Sequence, residues 1–385
     1  MLADSDSCNL LRAIARSAES DEIYQLAAGV RDWGLLLKLA EEHRVLPLIF
    51  SRLADMGPAV PAVMQERLQA EYHRNVFHCL TNAAELIAVL KNFDSEKIPA
   101  MPFKGVVLAA SIYGDMTMRS AGDLDILVHY CDLARATAVL QRRGYVLQTD
   151  VFADGAPSMP DHYEFQFERQ ADGMLVELRW RLQLSQPRNK RISRFGSDLG
   201  LDWAQQRGRK KTLAGAEVPN MNSETTLLML CMHGSKHVWS RLVWICDVAQ
   251  LLRVSPNLDW NEVVHESKRL GLWRPLALGI LIAHRVAGAP VPLLTLQEFE
   301  ANAVINKLAR HMQENLFIAP GSTPGGVVPY DVLLLGLRDR VRLIGSFDWL
   351  RPSHRDIAVL PLPKPLYPLY YLIRPFRLFF DRSAR

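Results

Sequence analysis

Two aspartates, Asp123 and Asp125, stand two residues apart in the run GDLDILV. In an extended strand that spacing turns both acids to one side and Leu124, Ile126 and Val128 to the other. Like charges about 6–7 Å apart along a backbone repel unless a cation lies between them. A divalent metal meets that need, and carboxylates converging on Mg²⁺ are what phosphoryl or nucleotidyl transfer requires. A lone Asp-x-Asp is also what a strand emerging into solvent looks like, so the neighbours decide. Upstream, Phe103-Lys104-Gly105 marks a strand-to-helix turn. There glycine permits close backbone approach, and a helix N-terminus offers N–H groups to a phosphate. Downstream, Glu177 in LVELRWRL alternates against Val176, Leu178 and Trp180 and shares its side with Arg179. Asp123, Asp125 and Glu177 are therefore the expected catalytic and metal-ligating acids.

Basic and aromatic residues surround these acids in sequence. Lys104 and Arg119 flank the pair, the lysine as a point charge and the arginine as a fork, and with Gly105 they are the expected phosphate contacts. From Thr225 onward His233, Lys236, His237, Arg241, Trp244 and Asp247 recur at three- and four-residue steps. The spacing predicts one polar stripe along an otherwise apolar helix, lining a cleft or pairing internally. His233, Lys236, His237 and Arg241 are thus candidates for acceptor or phosphate contacts. The two histidines have the spacing of zinc ligands, but Lys236 beside them opposes a cation. Trp239 and Trp244 are candidates to stack on a base or to fill a core.

The elements that must hold these residues follow from periodicity. Residues 1–95 show helical spacing, as in Trp33, Leu36, Leu37 and Ala40, and then Leu80, Ala83, Ala84, Ile87 and Leu90. Residues 96–215 read as an α/β segment that closes in a polar, basic stretch at 207–211. It has strands at 98–103, 123–128 and 145–149, helices at 105–113 and 131–143, and a hairpin of 162–169 with 174–182 turning at Asp172-Gly173. Two prolines in the first strand suggest an edge position or a ragged start, and Gly144 caps the second helix. Residues 216–385 return to helix, with proline punctuation after residue 350. The expected fold class is α+β, a small mixed sheet flanked by N- and C-terminal helical regions.

The chain has 385 residues, 49% of them hydrophobic, enough to bury a sizeable core. Its 45 basic and 41 acidic residues give a formal charge of +4, too weak to argue for nucleic acid from charge alone. Five widely spaced cysteines without a Cys-x-x-Cys pair read as reduced thiols of a cytoplasmic protein. The acidic N-terminus lacks a secretion signal, and no run predicts a transmembrane segment. In the tail, residues 367–385, aromatic residues alternate with arginines, a composition that suits either peripheral contact with a membrane surface or a packed terminal helix.

The runs FKGVVLAASIYGDMTMRSAGDLDILV, VELRW and HGSKHVWSRLVWICDVAQLL, with Gly144-Tyr145, resemble the uncharacterised nucleotidyltransferase family of the polymerase-beta-like superfamily. Two departures stand out. The superfamily turn is usually Gly-Gly or Gly-Ser where this chain has Lys104-Gly105, and the narrower family tends to have His where this chain has Arg179. The resemblance implies that Asp123 and Asp125 hold Mg²⁺, with Mn²⁺ as a substitute, and grip the triphosphate of an NTP. Glu177 would complete the metal site and position or deprotonate the acceptor. An NMP group would then pass to an acceptor that is a small molecule, sugar, peptide, protein or RNA. The rival readings are a phosphotransferase using the same acids and a non-catalytic nucleotide-binding protein. Because the acids serve metal binding and not packing, Asp123→Asn and Asp125→Asn are both expected to leave the metal-free fold as stable as before or slightly more so.

Overall fold

The computed structural model describes residues 5–120, 122–148, 164–182, 199–206 and 208–317, together with Leu369, Tyr370 and Ile373. Most of the proline-punctuated tail, and with it the membrane-surface reading, lies outside the described residues.

The N-terminal region is helical, as its spacing predicts: α1 (Ser5–Ala15), α2 (Ser20–Gly29), α3 (Trp33–Glu42), α4 (Leu46–Leu53) and the long α5 (Ala62–Ser95). In α3 the Asp32 side chain accepts from Leu35 N–H, and Trp33, Leu36, Leu37 and Ala40 are buried as expected. The face buried by α5 differs from the expected one. Cys79, Ala83, Leu86, Val89 and Phe93 point inward, while Leu80 is 49% exposed. The cause is Glu85, a charged residue on the buried face, whose carboxylate takes Arg143 at 2.8 Å and Arg169 at 2.9 Å. Paired in this way a buried acid is tolerated, and the hydrophobic pattern alone hides it.

The α+β core is a five-stranded mixed sheet in the order β1-β2-β5-β4-β3. Its strands are β1 (Ala100–Pro102), β2 (Asp123–Val128), β3 (Tyr145–Leu147), β4 (Glu164–Arg169) and β5 (Met174–Arg179). Only β2 and β5 pair in parallel, and their register sets Asp125 beside Glu177. The proline-bearing β1 is an edge strand, the first of the two expected readings. Two helices lie between strands, α6 (Gly105–Ile112) and α7 (Leu133–Arg142), and Gly144 ends the second in the left-handed region at φ +84°. After the short α8 (Leu201–Gln205), the polar stretch thought to close the segment forms a second sheet, β6 (Arg209–Leu213) with β7 (Ala216–Asn220). Its turn has Ala214 at φ +46° and Gly215 at φ +81°, a left-handed pair typical of tight hairpins. Alanine in the first of these positions conceals the hairpin in sequence.

Among the described residues up to 317, six helices follow: α9 (Ser223–Lys236), α10 (Leu242–Val254), α11 (Trp260–Leu270), α12 (Trp273–Ala287), α13 (Leu293–Glu300) and α14 (Ala303–Asn315). The polar stripe from Thr225 to Asp247 is therefore not on one helix. The chain breaks between α9 and α10, where Val238 and Trp239 have φ of +57° and +50°. Trp239 turns into the core, 1% exposed, and is no base-stacking platform. Its ring leaves no room at two glycines: a Cβ on Gly234 would lie 2.5 Å from it, and one on Gly279 would lie 2.7 Å from Cys231 Sγ and 2.8 Å from the ring. Gly234→Ala and Gly279→Ala should each lower unfolding stability by about 1–3 kcal/mol, although alanine normally favours a helix. Urea denaturation checks this, and variants as stable as wild type would contradict the packing.

The two helical regions share one hydrophobic core, in which Leu10, Leu36 and Ile49 join Leu227, Ile280 and Ala309. The sheet has a second core with Ala83, Val89 and Phe93 of α5. Helix α6 joins them, with Leu108 and Ile112 in the first and Val106, Val107 and Ala110 in the second. The Lys104-Gly105 turn is thereby anchored where all parts meet. Among the described residues no helix is long and apolar enough to cross a membrane. All five cysteines are free, four of them buried and Cys131 exposed.

Candidate functional site

Asp123, Asp125 and Glu177 converge: one carboxylate oxygen from each lies within 4.8 Å of the others, and among the described residues this is the one such group. Asp125 is 6% exposed. Lys104 Nζ bonds its Oδ1 at 3.0 Å, and Arg179 Nε approaches to 3.5 Å. Arg179 also bonds Glu164 at 2.8 Å, opposite it on β4, and Glu177. Glu177 is thus both a neighbour of Asp125 and a partner of Arg179. Four carboxylates and the two cations bonded to them leave a formal excess of two negative charges, which one divalent cation cancels. The donors are all carboxylate oxygens, the set a hard cation such as Mg²⁺ or Mn²⁺ prefers.

The electrostatics separates the three acids. Burial pushes the Asp123 carboxyl above its ordinary value, helped by the Asp125 charge and opposed by Lys104, Arg44 and Arg119. Burial also acts on Asp125, but Lys104 and Arg179 outweigh it and hold that group below its ordinary value. Glu177 is raised by burial and by Asp125, with Arg179 opposing. Asp125 is therefore the fixed charge of the site, and Asp123 and Glu177 are the acids whose ionisation a bound cation would most favour.

Lys104 lies in a backbone region that is almost exclusive to glycine, φ +68° and ψ −156°. A lysine in this region means that a strained turn carries a charge where glycine would fit without strain. The strain and the ion pair are separable by mutation. Lys104→Ala loses the pair and keeps the strain, while Lys104→Gly loses the pair and relieves it. Lys104→Gly is expected to unfold at higher denaturant than Lys104→Ala, by about 1–3 kcal/mol, the reverse of the usual order. Equal midpoints would mean that the turn is unstrained.

Arg119 does not stand open to a ligand through its Nε, which bonds Asp247 at 2.9 Å. Tyr113 donates to the other oxygen of Asp247 at 3.1 Å, and Asp247 is wholly buried. This cluster ties the segment before β2 to α10 and keeps the Arg119 charge within reach of Asp123 and Asp125. His233 and His237 pack against each other at 4.6 Å between ring centroids and against Trp244 at 5.4 and 5.2 Å. The Arg241 guanidinium lies over the Trp244 ring at 5.5 Å. Burial, then Lys104, holds His233 well below its ordinary pKa, and burial, then Lys236 and Lys104, lowers His237 to about 4. Both shifts favour the neutral rings at pH 7. Lys236, the last residue of α9, is half-exposed beside them. The break between α9 and α10 thus gathers His233, His237, Trp244 and Arg241 into one cluster, on whose histidines Lys104 acts electrostatically.

Two residues of the site, Glu164 and Arg44, carry no mark in the sequence. Glu164 belongs to it through strand register, which alternation within one strand does not reveal, and it meets Arg179, which alternation sets on the side of Glu177. Arg44, after α3, is exposed, has φ +55° and acts electrostatically on Asp123; nothing local in sequence marks it.

An antiparallel edge strand, an Asp-x-Asp strand with a third acid in register beside it, and a strained turn opening α6 define an α+β nucleotidyltransferase fold. The chain belongs to the uncharacterised nucleotidyltransferase family, whose model matches residues 30–288 and so spans every site residue from Arg44 to Asp247. No curated protein and no solved structure matches the chain significantly.

Proposed function

We propose that this chain is a divalent-cation-dependent nucleotidyltransferase that moves an NMP group from an NTP to the nucleophile of an acceptor. The observation that carries the reading is the convergence of Asp123, Asp125 and Glu177, set by the β2–β5 register, with Lys104 bonded to Asp125 and the Arg119 charge acting on Asp123. When bound, Mg²⁺ or Mn²⁺ would neutralise the triphosphate and polarise its α-phosphoryl group. Asp125, held ionised by Lys104 and Arg179, fixes the carboxylate side of the site. Glu177, raised by burial, takes the proton of the acceptor hydroxyl. The acceptor oxygen bonds to the α-phosphorus, the α–β bridging P–O bond breaks, and pyrophosphate leaves with the electron pair. Lys104, the Gly105 backbone and the Arg119 charge stabilise the phosphates. The five free cysteines support a reducing compartment, the cytoplasm.

The test is incubation with α-labelled and γ-labelled NTPs, Mg²⁺ and a cell extract, followed by mass analysis of whatever acquires label. The reading expects α-label on an acceptor and release of pyrophosphate. Transfer of γ-label would make the chain a phosphotransferase. Nucleotide binding with no transfer in any extract would make it a binding protein.

A further inference from the structure

Besides the bonds of α5 to Thr117 and Arg119, the N-terminal helical region reaches the site at His43. His43 is buried and caps α10 from outside: its Nδ1 accepts from Leu242 N–H at 3.1 Å, and its backbone oxygen accepts from Val243 N–H at 3.2 Å. That pair of bonds sets the next residue, Arg44, against Arg241, the residue before α10. Arg44 is exposed and Arg241 half-exposed, and among the described residues neither has a carboxylate partner. Arg44 also acts electrostatically on Asp123 and Arg119, which ties it to the site side. Arg44 also occupies the left-handed position that ends α3, with its N–H on Glu41 O and Val45 N–H on Ala40 O. Glycine is the usual occupant of such a position. The backbone bonds of His43 to the start of α10 thus bring two like charges into one neighbourhood, with no carboxylate on either among the described residues, and an anion beside them would relieve their repulsion.

We propose that Arg44 and Arg241 clamp the terminal phosphates of the bound triphosphate, which makes the N-terminal helical region part of the nucleotide site. The proposal rests on the nucleotide reading above. It assigns the leaving pyrophosphate to a cradle built from two chain regions. The nucleoside and α-phosphate remain with the Lys104-Gly105 turn and the acids.

Binding of Mg²⁺·ATP and of Mg²⁺ with inorganic tripolyphosphate should be measured by calorimetry on wild type, Arg44→Gly and Arg241→Gln. Each variant is expected to bind both probes roughly tenfold or more weakly, as loss of a charge-assisted contact implies. Arg44→Gly should melt at or above wild type because glycine suits the left-handed turn, so its lost affinity is not unfolding. Arg209→Gln, an exposed arginine on β6 outside the acidic group and the arginine pair, should bind as wild type. If ATP binds wild type and both arginine variants equally, the clamp is overturned and the nucleotide reading stands. If tripolyphosphate shows the expected losses but ATP binds no tighter than tripolyphosphate, the clamp stands and the nucleotide reading falls. Binding of neither probe to wild type overturns both.

Discussion

Asp123→Asn and Asp125→Asn should both lose Mg²⁺-dependent transfer by about a thousandfold or more, yet move stability in opposite directions. The sequence alone predicts that both variants keep or slightly gain stability without metal, since a like-charge pair is relieved. The structure corrects half of this. Asp125 is nearly inaccessible and bonds Lys104, with Arg179 Nε at 3.5 Å, so its neutralisation leaves the buried Lys104 short of its carboxylate while Arg179 keeps Glu164 and Glu177. Breaking a buried pair from one side costs about 3–5 kcal/mol. Asp123 has no such bond and is raised by burial and by Asp125, so Asp123→Asn should leave metal-free stability equal or higher. The pH dependence follows. Asp125 lies below its ordinary 3.8, so its contribution is complete above that value and is lost as pH falls through its folded-state value. Asp123 is raised, so its charge opposes folding fully above its folded-state value, and the penalty disappears as pH falls to 3.8. Urea melts in EDTA at pH 7 check both. Equal melting of the two variants would show that Lys104 does not depend on Asp125.

Glu177→Gln should reduce turnover by about a thousandfold or more, weaken Mg²⁺-dependent nucleotide binding, and change metal-free stability by no more than about 1 kcal/mol. Its ion pair with Arg179 would suggest a structural role, but Arg179 keeps Glu164 at 2.8 Å and Asp125 at 3.5 Å when Glu177 is neutralised. Burial and the Asp125 charge already work against ionised Glu177 in the free protein, so little stability is there to lose. Glu168 is the control. It lies on β4 opposite Leu175 and Val146 and outside the acidic group, so Glu168→Gln should do little. Near-normal turnover in Glu177→Gln with loss in Glu168→Gln would move the third acid to β4. A large stability loss in Glu177→Gln would make it a structural partner of Arg179.

The local chemistry was legible in sequence and the long-range pairing was not. Alternation gave the face of Asp123 and Asp125, and Gly144 marked the end of α7, because both are consequences of backbone geometry within a few residues. The α5 face was misread because Glu85 finds Arg143 and Arg169 far along the chain. The α9–α10 break was invisible because no proline or loop composition marks it; Trp239 leaves the helix to fill space that Gly234 and Gly279 leave open. Arg119 was expected to face phosphate, and its Nε is held instead by Asp247, itself on the stripe whose partners periodicity could not name. Arg44 and Glu164 enter the site through tertiary contact alone.

The most direct measurement is Mn²⁺ binding followed by electron paramagnetic resonance, with and without a non-hydrolysable NTP analogue, in wild type and in Asp123→Asn. The account predicts that wild type binds Mn²⁺ more tightly when the analogue is present and that Asp123→Asn, still folded, loses that binding. Equal Mn²⁺ binding by the two proteins in the presence of the analogue would contradict it.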